Sequence, residues 1–98
     1  MAASPTHAIV VKVTFKPGIQ DMANTMLHEE VIPGAKKAEG FVTGYWMHGE
    51  DGSFGLSVEL FDSLANAQAE LGRRQTSSPA DAPVEIVSVD VVEVVGRA

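Results

Sequence analysis

Trp46 and His48 stand two residues apart in a stretch of alternating side chains, so an indole and an imidazole share one face of an extended strand. An imidazole titrates near neutral pH, which makes His48 the side chain best suited to act as a general base. The indole offers a flat apolar wall for an aromatic ligand. The next strand carries Gly55, Ser57, Glu59 and Phe61 on a single parity. A turn centred on Glu50-Asp51 would pair His48 with Ser53, Trp46 with Gly55 and Gly44 with Ser57. Two glycines around one indole then leave a depression floored by backbone. Its expected border is Trp46, His48, Ser57 and Phe61 on the sheet, with Met22 and Met26 reaching in from a helix. The alternative use of the same residues is packing. Gly55 then makes room for Trp46, the methionines fill a core, and His48 is a solvated turn residue.

Other chemistries find no support. The chain has no cysteine, which excludes disulfides, thiolate nucleophiles and zinc–thiolate sites. His7, His28 and His48 are far apart and form no His-x-x-x-His or Glu-x-x-His arrangement, so no metal is expected. There is no Gly-rich phosphate loop or nucleophile elbow. Lys12 is expected to pair with Glu59 across neighbouring strands rather than to catalyse. A net charge of −6 disfavours nucleic acid and anionic membrane surfaces, because both are bound by clustered Lys and Arg. Met1 to Thr6 lacks a basic region and no apolar run reaches transmembrane length, so a cytoplasmic location is expected.

Ninety-eight residues at 45% hydrophobic content fit one domain over residues 1–98. The elements that must position the candidate residues follow from periodicity. His7 to Phe15 alternates as a strand and ends at Lys16-Pro17-Gly18. Ile19, Met22, Ala23, Met26 and Leu27 form a helical stripe, predicting a helix from about Ile19 to Val31 that stops or kinks before Pro33. A hairpin over Phe41 to Phe61 comes next. Asp62 or Ser63 caps a second helix that closes at Gly72-Arg73-Arg74. Gln75 to Pro83 reads as a loop, and Val84 to Val95 as a long Val-rich strand.

The order β-α-β-β-α-β with right-handed crossovers predicts an α+β, ferredoxin-like fold. Its four-stranded sheet is antiparallel, with spatial order 4-1-3-2. Ile9, Val11, Val13 and Phe15 are expected to join Phe54, Leu56, Val58 and Leu60 in one apolar face, which a second copy of the chain would cover.

At Glu39-Gly40-Phe41, Asp51-Gly52, and Val58-Glu59-Leu60-Phe61-Asp62-Ser63 through Ala67, the chain resembles the antibiotic-biosynthesis monooxygenase-like group of the dimeric α/β-barrel superfamily. The resemblance implies a homodimer that presses two sheets into a barrel, with helices outside and a cleft between sheet and helices. It also implies cofactor-free oxygenation of quinol-like aromatics, haem degradation, or no known activity, according to the member. Quinol-oxidising members place an Asn and a Trp four residues apart at the end of strand three, where this chain has Ser57 and Phe61. Haem-degrading members carry an Asn in strand one, near Val11 here, and a His in helix two, which this chain lacks. Three uses of the cleft stay open: a cofactor-independent monooxygenase acting on an aromatic or polyketide-like molecule, a non-catalytic binder of an apolar or aromatic ligand, and a structural dimer.

Overall fold

The computed structural model describes residues 4–75 and 84–98. Strand β1 spans His7–Phe15, and α1 spans Gln20–Met26. A π-helical turn, Leu27–Val31, leads directly into α2, Ile32–Lys36. Strands β2 (Phe41–His48) and β3 (Phe54–Phe61) form a hairpin, followed by α3 (Leu64–Gln75) and β4 (Val84–Glu93). The sheet order is β2-β3-β1-β4 with antiparallel pairing throughout, which is the ferredoxin-like order expected. Residues 76–83, most of the expected loop, lie outside the described part.

The helix, expected to stop or kink before Pro33, does not stop there; its irregularity is the π-helical turn just before the proline. Proline has no N–H to donate, and its ring crowds the carbonyl four residues back. The wide π turn immediately before α2 relieves that crowding, so the chain stays helical to Lys36. Neither α1 nor the π turn contributes a buried residue. Gln20 nevertheless ties the start of α1 to the hairpin loop, its Nε2 donating to the Gly52 carbonyl at 3.0 Å.

Register decides the faces. Ile9 pairs with Glu59, Val11 with Ser57 and Val13 with Gly55. Odd positions of β1 therefore lie beside odd positions of β3, and the expected single apolar face of Ile9 through Phe15 with Phe54 through Leu60 is incorrect. Phe54, Leu56, Val58 and Leu60 instead share a face with Ala8, Val10, Lys12 and Thr14. A strand's own alternation says which residues go together within it, not which parity its neighbour presents.

The core is small and lies under α3. Ile9, Phe61 and Ala67 are fully buried, with Phe41, Leu71, Val89 and Val91 packed around them. Ser63 caps α3, its Oγ accepting from the Asn66 N–H at 3.1 Å. Gly40, at φ +80°, turns the chain into β2 where an added Cβ would meet the Asp62 and Asn66 side chains.

Candidate functional site

Strand β2 runs along the edge of the sheet, and its inward-facing side chains, Phe41, Gly44, Trp46 and His48, lie on the helical side. The hairpin register differs from expectation by two residues: Trp46 pairs with Ser57 and His48 with Gly55. The loop is longer than a two-residue turn. The Gly52 N–H donates to the Gly49 carbonyl within it, and Asp51 accepts from the backbone and hydroxyl of Ser53 at 2.9 and 2.7 Å. The Ser53 backbone and side-chain donors hold the Asp51 carboxyl below its usual range. A shift of two leaves the side chains from Thr43 to His48 on their expected faces, whereas a register irregularity between Phe41 and Thr43 moves Phe41 from its expected parity to the face of Trp46.

The support of the indole falls to one glycine rather than two. A Cβ on Gly44 would lie 2.8 Å from Trp46 Cη2 and 3.0 Å from Cζ3. The indole thus lies back along its own strand over Gly44. Gly55 serves Phe15 and Val13 instead, whose side chains stand 3.0 and 3.2 Å from its absent Cβ.

An open groove of about 520 Å³ lies between α2 and β2, lined by Ile32, Lys36, Phe41, Val42, Thr43, Gly44 and Trp46. That volume is within the range of small-molecule sites. Phe41 is held from behind by Phe61, the two rings meeting edge to face with centroids 6.0 Å apart. Phe61 itself is fully buried, so it braces the groove wall instead of forming its surface. Ser57 is half-buried beside Trp46. Met22 is 57% exposed and Met26 half-buried, and the helical wall of the groove is α2, through Ile32 and Lys36. The sequence offered a signal for those two: they lie four residues apart, one helical turn.

His48 is exposed at the hairpin end, two residues beyond Trp46 on the same face. Its Nδ1 lies 3.0 Å from the Gly49 carbonyl oxygen. A carbonyl only accepts, so Nδ1 is the donor in this contact.

A second polar constellation was not anticipated. Glu59 and Glu70 are buried, and Arg74 bridges them: its two terminal nitrogens donate to the Glu59 carboxylate at 2.5 Å and its Nε to Glu70 at 2.7 Å. Arg73 adds two hydrogen bonds to Glu70 at 2.8 and 2.6 Å. Burial alone would raise the Glu70 carboxyl, but hydrogen bonds from Arg73 and Arg74 outweigh it and hold the group below its ordinary range. For Arg74, burial works against the charge, and its bonds to Glu59 and Glu70 restore and exceed that loss. The expected Lys12–Glu59 pair is therefore incorrect. Glu59 points to the helical side, whereas Lys12 lies on the opposite face, 5.3 Å over the Phe54 ring. The spacing of Glu70 and Arg74, one helical turn, was the sequence signal for half of this network.

Among the described residues no three His, Asp or Glu side chains gather as metal ligands, and no helix is long and apolar enough to cross a membrane. The chain matches no protein-family profile and no curated protein. Solved structures do resemble it. The heme-degrader MhuD of Mycobacterium tuberculosis, with two hemes in its active site, superposes with a TM-score of 0.70 at 15% identity over 96% of this chain and 99% of its own. A Chloroflexus aurantiacus protein bearing the name antibiotic biosynthesis monooxygenase gives 0.69 at 16% identity, over 95% and 96%. A monooxygenase from the ActVA-Orf6 gene of Streptomyces coelicolor, in complex with nanaomycin D, gives 0.62 at 16% identity, over 96% and 91%.

Proposed function

We propose that this chain, which has the fold of the antibiotic-biosynthesis monooxygenase-like group, is a cofactor-independent monooxygenase acting on an aromatic or polyketide-like molecule held against Trp46. The observation that carries the reading is the groove beside β2, lined by Trp46 with its six-membered ring against Gly44; His48 lies outside that lining, two residues further along the same face of the strand. Strand residues two apart are separated by about 6.6 Å, and the indole lies on the Gly44 side of Trp46, so a substrate has to extend beyond the indole to meet the imidazole. His48 Nε2 takes the proton of a ring hydroxyl, and the electron-rich anion that results is oxidised by dioxygen: one oxygen atom replaces two hydrogens on a ring carbon as a carbonyl, and the other leaves with them as water, the substrate supplying the electrons. The fold neighbours that hold two hemes or nanaomycin D are consistent with a ligand of this size and shape.

A second copy belongs to the same proposal. The sheet face away from the helices carries Val10, Phe54, Leu56, Val58 and Leu60, with Tyr45 62% and Met47 48% exposed beside them. An apolar sheet face of this kind is stabilised by burial against its own copy at roughly 25 cal/mol per Å². Lys12 fits within such an interface because its ammonium already rests on Phe54.

One observation favours a non-catalytic binder. The end of strand three has Ser57 and a fully buried Phe61 where quinol-oxidising members have an Asn and a Trp, so fewer polar groups face the ligand. Oxygen consumption with hydroxylated aromatics separates the two readings. Turnover unaffected by chelator and reduced about 10²-fold by His48→Ala supports the oxygenase. Binding to the wild type without oxygen uptake supports the binder, and full turnover in His48→Ala removes the histidine from the mechanism.

A further inference from the structure

The residues lining the groove are unlike the chain as a whole in charge. The chain carries 13 acidic residues against 7 Lys and Arg, yet no acid lines this groove and its one charged lining residue is Lys36. Lys36 occupies the last turn of α2, facing the strand that bears Phe41 and Trp46. It makes no salt bridge with any described residue, whereas Arg73 and Arg74 on α3 are engaged by Glu70 and Glu59. Its neighbour Lys37 lies on another side of the segment, in a smaller depression that also holds Glu39 and Glu70. A Lys in a last helical turn also interacts favourably with the helix dipole, but that role does not require a groove of aromatic side chains before it.

We infer that the groove selects planar aromatic carboxylates over neutral aromatics of the same shape, the ring lying on Trp46 and Phe41 and the carboxylate meeting the Lys36 ammonium. The inference rests on the ligand reading above and narrows it to one charge class. An ammonium is a compact, hydrated point charge on a flexible stem, so it recognises the sign of a substituent at the groove mouth without demanding one bidentate geometry. Apart from Thr43, whose hydroxyl is uncharged, the remainder of the lining is apolar, so it provides no ionic partner for a second charge. Because Lys36 is exposed, its contribution is moderate and sensitive to salt.

Trp46 is the sole tryptophan of the chain, so its fluorescence reports from the groove. The full chain is titrated with anthraquinone-2-carboxylate and, separately, with anthraquinone-2-carboxamide, which keeps the ring and removes the charge. The carboxylate is expected to quench Trp46 with an affinity about two- to five-fold tighter than the amide at low ionic strength. That difference should shrink as salt is raised to 0.5 M. Lys36→Gln should abolish the difference by weakening the carboxylate alone, and Lys36→Arg should retain it. Equal affinities in the wild type, or a preference that survives in Lys36→Gln, overturn the charge inference while leaving a ligand groove in place. Failure of both molecules to quench Trp46 overturns the ligand reading and this inference with it. Circular dichroism of each variant shows whether it keeps the wild-type fold, so that lost binding is assigned to the side chain.

Discussion

Arg74 and Glu59, fifteen residues apart in the chain, meet through two parallel hydrogen bonds of 2.5 Å, and Glu59 is fully buried. The fork of a guanidinium matches the two oxygens of a carboxylate, so this pair fixes α3 against the middle of β3. Glu59 is also the strand partner of Gly44, which places the pair next to the groove on the same helical face of the sheet.

Breaking one side of this pair should be costly. Arg74→Met leaves Glu59 buried without its cation and should destabilise the fold by about 3–5 kcal/mol. The double variant Arg74→Met with Glu59→Leu should recover much of that loss, since a buried pair is often replaceable by apolar residues of similar volume. Urea denaturation of the wild type, Arg74→Met, Glu59→Leu and the double variant closes the cycle. An Arg74→Met variant as stable as the wild type would show that the pair holds nothing together.

The same network sets the acid response. The Glu70 carboxyl is held below its ordinary range in the folded chain, so the folded state binds fewer protons than the unfolded state in the intervening window. The stability it contributes is fully present above its unfolded value of about 4.3 and is lost as pH falls through the depressed folded value. Denaturation midpoints measured from pH 7 down to pH 3 should fall more steeply for the wild type than for Glu70→Gln, with most of the difference below pH 4.5. Parallel curves would remove Glu70 from the acid transition.

Gly44→Ala tests the seat of the indole. The new methyl would stand 2.8 Å from Trp46 Cη2, so the ring must rotate away. Overpacking of this kind costs about 1–3 kcal/mol, partly offset by the better strand propensity of Ala. The emission maximum of Trp46 should shift, and quenching by aromatic ligands should weaken. An unchanged spectrum would mean that the indole does not lie over Gly44.

The proposed dimer is checked by mass. Light scattering at micromolar concentration should return twice the chain mass. Leu56→Asp, which puts a charge in the middle of the uncovered face and away from the groove, should yield a monomer that keeps its far-ultraviolet circular dichroism. A monomeric wild type would refute the pairing.

Much of this architecture can be read from the chain because its determinants are local. Alternation in His7 to Phe15 and Phe54 to Phe61, the cap at Ser63 and the turn-forming Gly49 to Gly52 each act over a few residues, and right-handed crossovers then leave one sensible strand order. The pairing of Trp46 and His48 on one face is local in the same sense, and a two-residue change of register does not disturb it. What the sequence alone leaves undetermined is every relation in which two parities or two distant elements must be matched. Ile9 could have faced Leu60's side of the sheet or Glu59's, and the choice falls to the latter because burying Glu59 under α3 gives it Arg74 as a partner. The helix passes Pro33 because a π turn precedes it, and that continuation is what brings Ile32 and Lys36 over β2 to make the groove. Local propensity fixes elements, while register, ion pairing and the space between layers exist only after packing has brought distant residues together.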